Sequence, residues 1–478
     1  MKLRAWFLAI CALLSTSGPY AQDLPDLGES SQADFSPQAE RKLGESFMRD
    51  IRLRDPSYVD DPEIEGYLNE LGGRLVAASP EARPDFVFFV VRDPTLNAFA
   101  MPGGFIGVHT GLITASQAES ELASVLAHEI AHVTQRHIAR MVAKQSQATL
   151  AAWAAMIVAI LAARSNSQVS QAAVATGQAV AIQAQLNYSR EFEREADRIG
   201  IQILEKANFD VHGMVSFFDR LQKFGRVYEN NAPSYLRTHP LTTERIADME
   251  NRAQLKAYRQ VPDSLAFQLV RAKIRAQQGT PGEAIAGFET QLKEKKYSSE
   301  AAARYGLARA LLRANDPAGA EREVAALRAL KAASPMVDML AGDVRLAQGD
   351  PADVVRLLRD ALGRHPHHKP LTYGLIEALL AAGDAAAALR TATAEIQLTP
   401  SDARLWGLQG KVYAVLGKRT NQHRSQAELY ALNGQFSAAV EQLVLAQRAA
   451  DGDFYEMSAA DARLRELRVR QLEEAKQR

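Results

Sequence analysis

The sequence predicts an α+β domain, mainly helical with a small sheet, followed by an all-α solenoid of helical repeats. Three observations carry that expectation. β-rich apolar runs lie between residues 85 and 113. Leu122, Val125, Leu126, Ile130 and Val133 then recur at helical spacing. From about residue 263 the chain becomes rich in alanine and leucine, and Gly349, Gly383 and Gly417 fall 34 residues apart.

A length of 478 residues suggests several domains at roughly 150 residues each. At 47% hydrophobic and 23% charged, the composition is globular. The 56 basic residues equal the 56 acidic ones, so no bulk positive field points to nucleic acid, and none is expected as a partner.

The chain opens "MKLRAWFLAICALLSTSGPYAQ". Lys2 and Arg4 precede an apolar run from Ala5 to Leu14, and small residues lead to Ala21. That pattern predicts a signal peptide over residues 1–21 and export of the remainder. The run is too short to span a bilayer. Cys11 lies inside it, behind Ile10, where lipid attachment would need a small residue. Cys11 is the one cysteine, so the mature chain has neither disulfides nor thiolate ligands. A metal must therefore be held by His, Asp or Glu. Losing Lys2 and Arg4 also leaves the mature chain slightly acidic.

A helix is expected from near Pro37. "DFVFFVV" at 85–91 and "NAFAMPGGFIGVHTGLI" at 97–113, turning at Pro102-Gly103-Gly104, predict two strands and a hairpin. Ser116 and Glu119 form a capping-box pattern for the helix that contains "VLAHEIAHVTQRH". "LAAWAAMIVAILAA" at 150–163 is about one turn short of a membrane span. A core or lid helix is its plainer reading, and a peripheral membrane contact the sharper one. The Ser/Gln/Ala-rich residues 165–186 read as a flap, and a helix follows around "REFEREADRIGIQIL".

In the second half, "RLAQGDPADVVRLLRDAL", "ALLAAGDAAAALRTATAEI" and "ELYALNGQFSAAVEQLVLA" share a helix–Gly turn–helix plan. Pro366 and Pro400 are also 34 apart. This period is the tetratricopeptide signature, placed over residues 263–450, with looser register before 316 and after 417. Such stacked helices present a concave surface suited to proteins or peptides. Residues 451–478, including "RLRELRVRQLEEAKQR", read as a solvated charged helical tail. "HPHHK" groups His365, His367 and His368 in an expected inter-repeat loop, a compositional hint of metal and no more.

The chemistry lies in "HEIAH". Positions four apart are about 40° apart round a helix, so His128 and His132 share a side and Glu129 lies beside it. His137 is about 180° from His128 on the same helix and is expected to face away. Zinc with nitrogen and oxygen ligands lowers the pKa of bound water to about 7. Glu129 is placed to take that proton and pass it to a leaving amine, the metalloprotease meaning of the motif. The plain reading of so short a match is two surface histidines on a core helix. Gln135 and Ile138 stand where metzincins carry Gly and His, which excludes that class. "SREFEREAD" offers two acidic pairs, Glu191/Glu195 and Glu193/Asp197, and spacing does not choose between them. Either pair supplies a ligand and an acceptor that orients a ligand histidine, or is a solvated acidic face.

The order "NAFAMPGG", "HEIAH", "EREAD", "THP" closely resembles the gluzincin family of zinc metallopeptidases that includes the CAAX prenyl proteases and the HtpX-like heat-shock proteases. The resemblance covers roughly residues 40–450. It implies a zincin-type metallopeptidase domain over residues 22–258, acting as a metalloendopeptidase with one Zn2+ per chain. It implies Glu193 as third metal ligand beside His128 and His132, and Asp197 as the orienting acceptor, with Glu191 and Glu195 on the other side of the helix. Membrane-embedded relatives carry spanning helices, and this chain shows none long enough. Members fused to repeats behind a signal peptide imply a periplasmic location and quality control of outer-membrane β-barrel proteins. Unfolded or stalled barrel proteins are then substrates, the β-barrel assembly machinery a partner, and the outer membrane a surface for peripheral contact. The rival from another class is a repeat-based periplasmic chaperone or adaptor with a latent or structural metal site.

Two further expectations concern substrate and control. Asn97, Ala98, Phe99 and Ala100 are read as an edge strand that holds substrate extended, against the alternative of a plain hairpin packing the metal helix. In "YLRTHPLTTER", Pro240 restricts His239 to extended backbone in a loop before a helix starting near Thr242 or Thr243. The resemblance puts such a His-Pro near the metal. His239 is expected to act as a latch in the open metal position, with donation to the developing oxyanion as the competing role.

Overall fold

The structure, a computed structural model, describes residues 36–81, 85–143, 190–227, 234–256, 259–449 and 451–477. The expected signal peptide, the apolar stretch 150–163 and the flap at 165–186 lie outside the described residues. No helix among the described residues is long and apolar enough to cross a membrane.

Helix α1 (Pro37–Arg54) starts at a proline behind Ser36, whose hydroxyl accepts the Ala39 N–H. Helix α2 (Pro62–Ala78) repeats the device with Asp61, which accepts from the N–H groups of Glu63 and Ile64. Three strands follow: β1 (Val87–Val91), β2 (Ala98–Met101) and β3 (Phe105–His109). Pro102-Gly103-Gly104 turns β2 into β3 as expected, with both glycines at positive φ. The sheet order is β1-β3-β2, with β1 parallel to β3 and β2 antiparallel to it, so β2 is an edge among the described residues. The expected hairpin ran to Ile113, but its second strand stops at His109 and the chain enters a short helix, α3 (Thr110–Ala115).

Helix α4 (Glu119–Thr134) carries the histidine motif and is buried on nearly every side. Leu122, Leu126 and Ile130 are fully buried, each worth about 1.5–3 kcal/mol on transfer from water. The predicted capping box does not form. The Ser116 hydroxyl donates to the Leu112 carbonyl and closes α3. The Glu119 carboxylate instead accepts from the Tyr67 hydroxyl and from Ser264, at the start of the repeats. Helix α5 (His137–Ala143) follows a break at Arg136, whose φ is +52°.

Helix α6 (Arg190–Lys206) lies directly against α4. Gly200 permits the approach, because a Cβ there would sit 3.3 Å from the His128 backbone nitrogen. Helices α7 (His212–Val227), α8 (Ser234–Thr238) and α9 (Thr243–Gln254) complete this half. Thr242 caps α9 by accepting the Arg245 N–H.

The repeat half begins at α10 (Leu265–Ala276), capped by Ser264. Gly349, Gly383 and Gly417 all adopt positive φ, at 82°, 81° and 70°. Asn315, 34 residues before Gly349, takes the same turn at φ +61°, which explains the loosened sequence register there. Asp316, Asp350 and Asp384 follow these turns, and each side chain caps the next helix. After Gly417 the plan changes: Lys418 makes no side-chain cap, and the next turn glycine, Gly434, comes after 17 residues. The helix Arg419–Leu432 therefore packs as partner to both neighbours. The terminal helix Phe454–Gln477 is not the solvated tail expected. Ala460, Leu464 and Leu467 bury one stripe of it, and Arg463 pairs with Glu428 at 2.7 Å.

The turn glycines yield a test. No atom lies within 4 Å of a Cβ built on Gly383, so only its backbone conformation resists substitution. Gly383→Val should lower the denaturation midpoint of the repeats by the equivalent of about 1–2 kcal/mol, and Gly383→Asn by much less. Equal urea midpoints for the two variants would contradict the assignment of strain.

Candidate metal centre

Helices α4, α6 and the α8–α9 corner bring four side chains together. Donor atoms of His128, His132, Glu193 and His239 all lie within 4.8 Å of one another, and all four residues are buried. The Nε2 atoms of His128 and His132 are 2.9 Å apart. Glu193 Oε1 is 3.5 Å from His132 Nε2, and Glu193 Oε2 is 3.5 Å from His128 Nε2. His239 Nδ1 stands 3.0 Å from Glu193 Oε1 and 3.3 Å from His128 Nε2. Ligand atoms round a tetrahedral zinc are separated by about 3.3 Å. His239 follows the one-turn helix α8 and is no free loop residue: its N–H donates to the Tyr235 carbonyl at 2.8 Å, and the Tyr235 ring stacks on it at 4.6 Å.

Each ring is held from behind. His128 Nδ1 lies 2.9 Å from Asp197 Oδ1. His132 Nδ1 lies 2.8 Å from Nδ1 of His137. His137 was expected to face away, but the break at Arg136 ends α4 and turns this fully buried ring back onto His132. Its Nε2 reaches Glu195 at 3.1 Å, where Arg140 also donates at 2.8 Å. Sequence reasoning also missed Arg245. Its guanidinium donates to Asp197 at 2.7 and 2.9 Å and to the Pro240 carbonyl at 2.7 Å. It also approaches Glu193 Oε2 to 2.8 Å. It ends the quoted "YLRTHPLTTER", but an arginine one turn into a helix gives no sign of burial in sequence alone.

The charges favour a cation. Despite burial, His239, His128 and Arg245 hold the Glu193 carboxyl well below its usual range. Asp197 is likewise lowered against burial, by Arg245 and His128. Burial and the neighbouring His128 keep His132 neutral, its pKa far below normal. Burial opposes a proton on His128, yet Asp197 and Glu193 outweigh it and raise the pKa to about 10. A proton there supplies positive charge that a metal would replace on binding. Burial raises the Glu129 carboxyl, and neither of its oxygens has a hydrogen-bond partner of normal geometry. His239 Nε2 lies 3.5 Å from Glu129 Oε1. Three imidazoles, one carboxylate, an unpartnered buried carboxylate beside them and no thiol together fit a zinc-like ion.

The edge strand β2 packs on α4. The His109 N–H donates to the Asn97 carbonyl at 3.0 Å, which makes 97/109 a hydrogen-bonded pair. In antiparallel alternation Ala98 and Ala100 then turn their N–H and C=O to the side of β2 that pairs with no strand among the described residues. The Ala100 amide lies near the Glu129 carboxylate, so this edge runs beside the donor cluster. Phe99 points to the other face, edge-on to Phe89 and His109, and the Asn97 amide lies 3.4 Å from His109 Nε2. Glu191 takes no part in the cluster, while Glu195 acts through His137. Among the described residues His365, His367 and His368 join no metal group.

The family model for peptidase family M48 matches residues 62–253, and that for the tetratricopeptide repeat matches residues 345–412. The β-barrel assembly-enhancing protease of Escherichia coli strain K12 is 31% identical over 450 residues, covering 94% of this chain and 92% of that protein. The corresponding protein of Yersinia pestis is 32% identical over the same shares. Mitochondrial metalloendopeptidase OMA1 of Schizosaccharomyces pombe is 32% identical over 196 residues, 40% of this chain and 54% of that one.

Arg245 gives this centre its test. Removing one partner of a buried charge cluster costs about 3–5 kcal/mol. Arg245→Met should lower the thermal midpoint strongly in chelator-treated protein and less in metal-loaded protein, where the ion balances Glu193. Arg245→Lys should recover little, because an ammonium cannot span Asp197 and Glu193 with the same fork. An Arg245→Lys protein as stable as wild type would contradict this account.

Proposed function

The chain belongs to peptidase family M48 and is a metallopeptidase carrying tetratricopeptide repeats, and on that premise we propose that it is an exported zinc endopeptidase that clears stalled outer-membrane β-barrel proteins and assists their assembly in the periplasm. The observation that carries the reading is the edge of β2, unpaired among the described residues, whose Ala100 amide lies near Glu129 beside the four-donor cluster. An unfolded barrel strand is an extended segment, and strand addition to β2 would hold it by main-chain pairing without demanding a particular sequence. The repeats would take the protein partners, including the β-barrel assembly machinery, on their concave face.

His128, His132 and Glu193 would hold the zinc, which when bound acidifies water and polarises the scissile carbonyl. Glu129 is the base: burial raises its carboxyl toward the range where it both takes a proton and returns it to the leaving amine. Asp197 Oδ1, 2.9 Å from His128 Nδ1, would orient that ring and leave Nε2 for the metal. Residues 97–100 orient the substrate against these groups. His239 is a fourth donor in the resting centre and so a latch, since it fills the position that water and substrate need. Opening requires α8 to move. The Tyr235 N–H meets the Leu96 carbonyl at 3.3 Å, so a substrate that reaches along β2 presses on the segment that carries the latch.

The closed cluster also favours a second reading, a repeat-based chaperone whose metal site stays shut. Hydrolysis of an unfolded barrel protein, measured beside suppression of its aggregation, separates the two. Glu129→Gln should keep zinc and holding activity and lose about 10²–10⁴-fold in hydrolysis. Glu193→Ala should lose zinc. His239→Ala should raise basal hydrolysis; a fall of about 10²–10³-fold at full zinc would instead make His239 an oxyanion donor. No chelator-sensitive hydrolysis in either wild type or His239→Ala would leave the chaperone reading.

A further inference from the structure

We propose that His137 is a positioning residue for the metal ligand His132, acting as a neutral imidazole that accepts the His132 proton and is itself aligned by Glu195 and Arg140. The inference rests on the metal reading above. With the His132 lone pair given to the metal, the distances fix the direction of the remaining protons. His132 Nε2 faces the donor cluster, 2.9 Å from His128 Nε2 and 3.5 Å from Glu193 Oε1, so its lone pair belongs to the metal. The ring's proton must then sit on Nδ1, which lies 2.8 Å from His137 Nδ1. Two N–H groups cannot meet at that distance, so His137 Nδ1 is the acceptor and its own proton is on Nε2. From there it donates to Glu195 Oε2 at 3.1 Å, and Arg140 donates to the same oxygen at 2.8 Å.

The surroundings leave His137 little freedom. The ring is fully buried and stacks on Phe192 at 4.5 Å with an 11° tilt. The Arg140 guanidinium lies over the same Phe192 ring at 4.6 Å. The placement depends on the left-handed residue Arg136, because on an unbroken helix His137 would lie about 140° from His132. Glu40 anchors that turn by accepting from Arg136 Nε at 3.0 Å and Nη2 at 2.6 Å. The two metal-facing histidines are thus held differently: His128 by a carboxylate, His132 by an imidazole. Ligand histidines almost always donate their second N–H to a carboxylate, a carbonyl or water, and losing that partner typically costs 10–100-fold in metal affinity.

The test is zinc affinity by chelator competition on the full-length mature protein. His137→Phe keeps the ring packing but strands the His132 N–H, and should weaken zinc binding by about 10–100-fold and shift the visible spectrum of the cobalt-substituted protein. His137→Gln, which restores an acceptor, should recover much of the loss. Glu193→Ala is the reference. If it weakens zinc binding while His137→Phe binds like wild type, the His137 role is wrong and the metal reading stands. If Glu193→Ala also binds like wild type, the metal reading fails first. Should His137→Phe not fold, nitrogen NMR of histidine-labelled wild type decides. A His137 proton on Nε2 and a His132 proton on Nδ1 support the inference, and the opposite tautomer of His137 overturns it.

Discussion

One buried guanidinium organises the centre. Arg245 meets both oxygens of Asp197, one oxygen of Glu193 and the carbonyl of Pro240. It thereby links the proposed third ligand, the group behind His128 and the backbone next to His239. Two buried carboxylates would otherwise repel each other and lose their hydration, at a cost of several kcal/mol per ion. Arg245 supplies one positive charge for the two carboxylates, and a proton on His128, whose pKa they raise to about 10, supplies the second. A metal cation bound at the centre would take the place of that proton.

The rest of the molecule holds this cluster in register. The repeats are attached to the helix that bears the histidine motif as well as following it in sequence. The first residue of α4, Glu119, accepts from Ser264 at the cap of α10, and the Glu119 N–H donates to Asp263. A second attachment joins Lys273 and Arg309 of the repeats to Glu63 at the start of α2, with Asp61 also on Lys273. Since α2 packs against α4, both attachments bear on one buried helix. The repeats are thus joined to the end of α4 remote from His132 directly and to its flank through α2.

Much of this was legible in sequence, and the failures have physical causes. The pairing of His128 with His132 needs only the helical period, and so does the burial of Leu122, Leu126 and Ile130. The choice of Glu193 over Glu191 needed a resemblance, because i,i+4 pairs on one helix look alike until a partner helix arrives. His137 was misjudged because the periodicity was extended through Arg136, whose left-handed backbone nothing in "VTQRH" announces. Ser116 and Glu119 had the right spacing for a capping box, but the preceding short helix captured the Ser116 hydroxyl and distant partners captured Glu119. The turn at Asn315 was hidden because asparagine replaced glycine in the same conformation. Arg245 was invisible for a more general reason. A residue type that is almost always exposed becomes central only when two distant carboxylates converge on it.

In the proposed resting centre His239 closes a ligand set of His128, His132 and Glu193. X-ray absorption at the zinc edge of the purified mature protein counts imidazoles round the ion. Three imidazoles and one oxygen donor in the wild type, falling to two imidazoles in His239→Ala at unchanged zinc content, is the result this structure predicts. Two imidazoles in both proteins would contradict it.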